Sequence, residues 1–329
     1  MWFERLVGFE EGTMENVRSK IELNGTRLRS KVNGKEFVVG TLEIPSLEDL
    51  RKRASLESYK DRIQVEEVVG NVQAMHQSTE NNGAIFQAAS QFNLLEMVGP
   101  HISPEQGVGM YEYDLTQGPA CAIACGAGTI YRNYFVEVNG RIGQTRDNQV
   151  DCLADIGREL RNSELNLWDM QNGYALPTLE GLQRVAQKIQ LSSDEEYDTI
   201  KSKLKVGIQW DTQVTLNNSE NLVSQVYCSA LPVAYSKFPQ EDWEDFARLI
   251  LEGTYEATLY AALLNYEKTG NPTVYLTLVG GGAFGNDRTW IFESMKRAID
   301  IFKRVPLKLK IVSYGGSNES VRNFVNSLN

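Results

Sequence analysis

Thr273-Val274-Tyr275-Leu276-Thr277-Leu278-Val279 runs straight into Gly280-Gly281-Gly282-Ala283-Phe284-Gly285-Asn286, and a helix-forming segment follows over residues 288–303. The first stretch is short, apolar and β-branched, which predicts a buried strand. Consecutive glycines remove the Cβ atoms that keep a ligand away from backbone amides. The helix beyond the loop adds partial positive charge at its N-terminus. Strand, glycine loop and helix in this order predict a cradle for a diphosphate. A tight structural turn accounts for one or two such glycines, less readily for three in a row and a fourth. Gly280, Gly282 and Gly285 also fit the GxGxxG spacing. The dinucleotide fold needs an acidic residue at the end of the next strand, and residues 308–314 end instead at Ser313-Tyr314-Gly315-Gly316. A P-loop needs Gly-Lys-Ser/Thr where Asn286-Asp287 stand.

Outward from this loop, strand and helix patterns alternate. Residues 63–70 and 84–89 read as strands, the first ending at Gly70-Asn71. A loop over residues 94–118 carries Pro100, Pro104, Gly107 and Gly109, and ordered loops of this length usually serve a function. It ends at Asp114-Leu115-Thr116-Gln117-Gly118-Pro119, where Pro119 opens a helix running to residue 134. Val150, Leu153, Ile156 and Leu160 have helical spacing, which predicts a helix over residues 149–161. Further helices are expected at 179–189 and 243–267, the latter closed by Gly270, and further strands at 206–214 and 222–234. Residues 1–45 read as short strands turning at Asn33-Gly34, and Ser46 with Glu48 and Asp49 reads as a capped helix start. The expectation is a three-layer α/β/α fold around a mixed sheet at residues 61–329, with a β-rich extension at 1–60.

Of the 329 residues, 42% are hydrophobic and 23% charged, so a large core is available and whole-chain disorder is excluded. The formal net charge of −10 argues against a nucleic-acid partner, because phosphate contacts along a polyanion need Lys and Arg. No signal peptide is legible, and the apolar runs fall far short of the ~20 residues that span a bilayer. Cys121, Cys125, Cys152 and Cys228 form no CxxC pair. They read as reduced thiols of a cytoplasmic protein. A catalytic Cys would need one of only two histidines, His76 or His101. Neither has a partner at metal-ligand spacing, so no zinc site is expected; the plentiful Asp and Glu leave Mg²⁺ open without any cluster that argues for it, and the reading calls for no metal site and no required cofactor.

A strand, then Gly280–Asn286, then a helix and a final strand resembles the second phosphate loop of macrodomains. These modules bind ADP-ribose, and many hydrolyse its attachment to proteins. Gly70-Asn71-Val72 resembles their short motif near the adenosine, with Asn71 where the family has Asp. The strand at 84–89 followed by Asn93 resembles the one that presents an Asn to the distal ribose. Gln117-Gly118-Pro119-Ala120 resembles the start of the first loop's helix. The resemblance spans residues 62–315 in outline. It implies ADP-ribose as ligand or product, with Asn71, Asn93, Gly280, Gly281, Gly282, Ala283, Phe284, Gly285 and Asn286 as binding residues. The poly(ADP-ribose) glycohydrolase signature, three glycines followed by Gln-Glu-Glu, is absent from the first loop. The overall plan looks more like the divergent macrodomain enzymes that remove ADP-ribose from ubiquitin arginine, the MavL type. An ADP-ribosylated protein is the implied partner, with arginine as the modified residue and ubiquitin as a candidate carrier.

Cleavage at the ribose C1″ passes through an oxocarbenium-like state, which a carboxylate can stabilise while another group handles protons. Asp114 lies at the end of the long loop, three residues before Gln117, and both are candidates. Asp147 and Asp151 are the next, because Asp147, Asp151 and Asp155 would share one helix face and repel. Each acid has a plainer reading as a cap or a solvated face. The leading expectation is an ADP-ribosyl hydrolase. The alternatives are a non-catalytic reader of ADP-ribose and another nucleotide-processing enzyme.

Overall fold

The computed structural model describes residues 1–328. Its centre is a seven-stranded sheet: β1 Thr41–Glu43, β2 Gln64–Val69, β3 Ile85–Ala89, β4 Gly207–Gln213, β5 Leu222–Cys228, β6 Thr273–Leu276 and β7 Lys308–Ser313. In space the order is β1-β4-β5-β3-β6-β7-β2. The five strands from β5 to β2 are parallel, and β4 and β1 complete one edge in antiparallel fashion. Central parallel strands lie between two helical layers and lack polar alternation. Accordingly Ile85, Phe86, Gln87 and Ala88 are all buried on β3, as are Val274, Tyr275 and Leu276 on β6.

Successive side chains of a strand point to opposite faces, so β3 identifies the layers. Phe86 stacks on His76 of α2 (Val72–Gln77). Its neighbour Gln87 donates to Thr258 Oγ1 at 2.9 Å, on α5 (Gln240–Thr269). Together with α2, the first layer holds α3 (Gln117–Ala124), whose Cys121 carbonyl and His76 both meet Gln225 of β5. α4 (Gly126–Tyr134) continues from α3, with Arg132 over the Tyr227 ring. The other layer is built on α5, against which α6 (Arg288–Ile301) packs. The long helix stops at Gly270, in left-handed conformation at φ 75°. The fold class expected from the sequence, a mixed α/β sheet between helical layers, is the one observed. No helix among the described residues is long and apolar enough to cross a membrane.

The N-terminal segment departs from a run of strands. Residues 2–7 and 14–20 are helical: α1 (Trp2–Val7) and the helix Met14–Lys20, whose cap Thr13 accepts from the Asn16 amide. Three antiparallel strands follow, and the Asn33-Gly34 hairpin joins the last two. Ser46 and Asp49 form the expected capping box on the helix Leu47–Arg53. The helix expected over 149–161 is confined to Ala154–Glu159. Cys152 N donates to Phe92 O and the Cys152 carbonyl accepts from Lys205 N, so the chain before Ala154 is held by outside partners, and the Asp151 carboxylate accepts locally from Leu153 N. Asp147 and Asp151 therefore sit in a loop and share no helix face.

Candidate active site

A cleft of about 650 Å³ opens where the parallel strands end. Its walls include Gly70 and Asn71 after β2, Ala89 to Gln91 after β3, Ala230 after β5, Thr277 to Gly280 after β6 and Tyr314 after β7. The carboxyl ends of parallel strands are where α/β sheets hold ligands, and this volume suits a nucleotide.

The glycine loop forms one wall, and its glycines divide by task. Gly280 has φ 77°, and a Cβ there would meet Ala230 Cβ at 2.5 Å and Asn286 Nδ2 at 2.7 Å. Gly285 has φ 69° and presses on Ala234. These two shape the turn. A Cβ on Gly282 would meet nothing within 4 Å, so neither packing nor backbone angle requires that glycine. Inside the loop, Gly281 N donates to Leu278 O, Gly285 N to Gly282 O and Asn286 N to Gly280 O. The amides of Gly282, Ala283 and Phe284 have no acceptor among the described residues, and these three residues line the cleft. Gly281, Gly285 and Asn286 lie behind the lining. Asn286 is buried and its Nδ2 donates to Leu231 O at 2.7 Å. The helix after the loop contributes less than expected: α6 is capped by its own Asp287, whose Oδ1 accepts from Thr289 N at 2.7 Å. Positive character on this wall thus comes from the three loop amides.

The other expected binding residues separate. Asn71 lines the cleft and caps α2, accepting from Gln73 N at 2.8 Å. Asn93 is fully buried behind the end of β3, where it donates to Gln149 Oε1 and accepts from Leu95 N. It does not reach the cleft wall. Gln117 lines the cleft, but its amide is engaged: Oε1 accepts from Ala89 N at 3.0 Å and Nε2 donates to Gln87 O at 2.7 Å. Gln117 thereby locks the start of α3 onto the end of β3.

Of the three expected acids, only Asp114 lines the cleft; its Oδ1 accepts from Thr116 N at 2.9 Å. Asp147 is held by Thr145 and Arg141, which lower its pKa, and Asp151 caps the Leu153 amide while burial raises its pKa. Neither lines the cleft.

A fourth acid does. Glu96 is only 4% exposed and lines the cleft. No hydrogen bond reaches either of its carboxyl oxygens among the described residues, and Oε1 is sealed from solvent. Its backbone is fixed by Tyr111, whose hydroxyl accepts from Glu96 N at 2.9 Å, and by Gln91, whose Oε1 accepts from Met97 N at 2.7 Å. Burial raises the pKa of Glu96 well above the usual range; Arg132 works against this and Asp114 adds to it. The legible signal was a single acid inside the apolar run Leu94-Leu95-Glu96-Met97-Val98. Gly118, in the first turn of α3, makes room for it, since a Cβ there would collide with the Ala89 carbonyl oxygen and with Glu96 Oε2.

The N-terminal segment closes the remaining side. Trp2 and Arg5 of α1 line the cleft, and Arg5 is its one cationic lining residue among the described residues. Glu112 accepts from the Trp2 amide and from Arg5, each at 2.7 Å. Glu11 accepts from Val108 N, Gly109 N and the Tyr134 hydroxyl. The long loop bearing Glu96 and Asp114 is tied down at both carboxylates.

Thiol chemistry does not fit. All four cysteines are free and buried, and burial raises their pKa values. His76 is fully buried, bonded to Val72 O and Gln225, and burial lowers its pKa to about 4.

No known protein family matches the chain, and no curated protein matches it. Among solved structures it is similar to poly(ADP-ribose) glycohydrolase from Thermomonospora curvata bound to the inhibitor ADP-HPD, at 12% identity and a TM-score of 0.44, covering 96% of each chain. It is similar also to poly(ADP-ribose) glycohydrolase from Deinococcus radiodurans in complex with ADP-ribose, at 12% identity and a TM-score of 0.47, covering 88% of this chain and 95% of that chain.

Proposed function

We propose that the cleft binds ADP-ribose through its diphosphate and that the protein is an ADP-ribosyl hydrolase acting on a modified protein. The observation that carries this reading is the row of open amides at Gly282, Ala283 and Phe284, in the same cleft as Asp114. Three amides without acceptors accommodate phosphate oxygens without spending a lysine, which suits an acidic chain. Tyr314, 77% exposed beside Asn71 at the ends of neighbouring strands, offers a flat face to the adenine. That arrangement runs the ligand from the base at β2 and β7 past the glycine loop toward Asp114 and Glu96.

At the ribose end, the Asp114 carboxylate stabilises positive charge developing at C1″ and orients water. An acid-lined end also suits a guanidinium. We therefore keep arginine as the modified residue and an ADP-ribosylated protein, with ubiquitin as a candidate carrier, as the substrate. Four unpaired thiols are in keeping with a cytoplasmic location.

The test is release of ADP-ribose from an arginine-ADP-ribosylated protein by the full chain. Asp114→Asn is expected to lower the rate by about a hundredfold, in the range of a lost acid–base or charge-stabilising group, while ADP-ribose still binds. Full turnover by Asp114→Asn would remove Asp114 from the chemistry. A reader module is the second reading, favoured by Gly118-Pro119, which put no acid on the first turn of α3. Binding of ADP-ribose with the modified protein left intact would decide for it.

A further inference from the structure

We propose that Glu96, delivered by the long loop into the space that glycine leaves at position 118, is the proton donor of this cleft, and that Asp114 takes the proton of the attacking water. The inference rests on the hydrolase reading above and assigns roles that reading leaves open.

The geometry is specific. A carboxyl nine-tenths buried ordinarily has an ion-pair or hydrogen-bond partner, since burying it alone is costly. Glu96 has none among the described residues, yet its backbone is held by Tyr111 and Gln91 and it faces the cleft. The preceding residues add strain: Leu94 sits at φ 66°, a region that leucine rarely adopts, immediately before the segment carrying Glu96. Gly118 completes the fit, because any side chain there would displace the Glu96 carboxyl.

The groups around Glu96 are one cation, one acid, and neutral hydroxyls and thiols. Arg132 of α4 attracts its charged form but makes no ion pair with it. Arg132 instead donates to Leu94 O, Gln209 Oε1 and Thr129 Oγ1 and stacks on Tyr227 at 3.6 Å. Asp114 repels the charged form. Tyr111, Tyr174, Tyr227, Cys121 and Cys228 sense the Glu96 charge from their own elements, and burial raises the pKa of each. Burial is the largest influence on Glu96 and favours the neutral acid; Asp114 is only half-buried, accepts from the Thr116 amide and lines the same cleft. Two carboxyls whose surroundings differ in this way divide acid and base work.

The step balances as follows. The Glu96 carboxyl passes its proton to the leaving heteroatom as the C1″ bond to that atom breaks. Water adds to C1″, and its proton goes to the Asp114 carboxylate. Exchange with solvent returns Glu96 to the acid form and Asp114 to the carboxylate.

A buried acid that only balanced Arg132 would give a Glu96→Gln variant equally slow on every substrate. A proton donor gives a loss that depends on the leaving group. The experiment compares wild type and Glu96→Gln on ADP-ribosyl-arginine and on a nitrophenyl ADP-ribose, whose phenolate leaves without protonation. The expected loss is about a hundredfold or more on the arginine substrate and under about tenfold on the nitrophenyl one. Equal losses on both, or no loss, would overturn the role of Glu96 while leaving the hydrolase reading intact. Failure of wild type to release ADP-ribose from either substrate would overturn that reading and the proton-donor role with it. Should Glu96→Gln fold poorly, the infrared carboxylic-acid band of wild type at neutral pH serves instead. A band that persists in Asp151→Asn, shifts in deuterium oxide and vanishes when the pH is raised supports the assignment, and its absence at neutral pH refutes it.

Discussion

Gly280 and Gly282 stand two residues apart in one loop and are glycine for different reasons. At Gly280 the backbone is left-handed and a Cβ would strike Ala230 and Asn286. At Gly282 the backbone angle is ordinary and the space around a Cβ is open, on the side that faces the cleft. Gly280→Ala is therefore expected to cost about 1–3 kcal/mol in denaturant unfolding, from left-handed strain and crowding. Gly282→Val is expected to leave stability within about 0.5 kcal/mol, as surface changes do, while weakening ADP-ribose binding at least tenfold. Wild-type affinity in Gly282→Val would mean that the ligand does not approach these amides. Seven consecutive letters could not separate the two roles, because backbone angles and neighbours across the fold decide them. The same holds for Asn93 and Asn286: both read as ligand contacts, and both are buried hydrogen-bond anchors.

At the scale of elements, local pattern was a good guide where an element's partners are periodic, and a poor one where they are individual. The strand at 273–276, the loop and α6 were legible because an apolar β-branched run, clustered glycines and helical spacing each have a direct physical meaning. The segment 149–161 carries the right spacing, but Lys205 and Phe92 take the backbone groups of Cys152, and only six residues coil. The hairpin Trp168–Pro177 and the helix Asp194–Ser202 were not anticipated either.

The long loop at 94–118 is held by the body of the fold at Met97, Pro100 and Pro104 and by the N-terminal segment at residues 108–112. Glu11 takes two loop amides and a tyrosine hydroxyl on one carboxylate. Charge-assisted bonds of this kind contribute about 1.5–3 kcal/mol each. Glu11→Ala is expected to raise amide hydrogen exchange across residues 105–116 by at least tenfold and to lower turnover, with exchange in β3 and β6 unchanged. Unaltered exchange in the loop would show that its order has another source.

The whole molecule shows what sequence order conceals. β2, second in the sheet by sequence, lies at one edge beside β7, the last strand, and this pairing brings Asn71 and Tyr314 to the same end of the cleft. Two apolar clusters each contribute residues to the cleft wall, Ala230 and Val279 from one, Trp2 and Met97 from the other. The larger one supports the sheet, and the smaller one joins Trp2, Phe3 and Leu6 of α1 to Tyr111 and Tyr134. The extension at residues 1–60 is thus a wall of the cleft through Trp2 and Arg5 as well as an addition to the sheet edge through β1. With a net charge of −10 and a single cationic lining residue among the described residues, the cleft would meet a phosphate mainly with backbone dipoles. Calorimetric titration of ADP-ribose into the full chain at neutral pH tests this most directly. The account predicts saturable one-site binding that Gly282→Val weakens, with a rise in unfolding free energy of about 2.7 kcal/mol at a hundredfold excess over Kd. No heat and no stabilisation at millimolar ADP-ribose would contradict it.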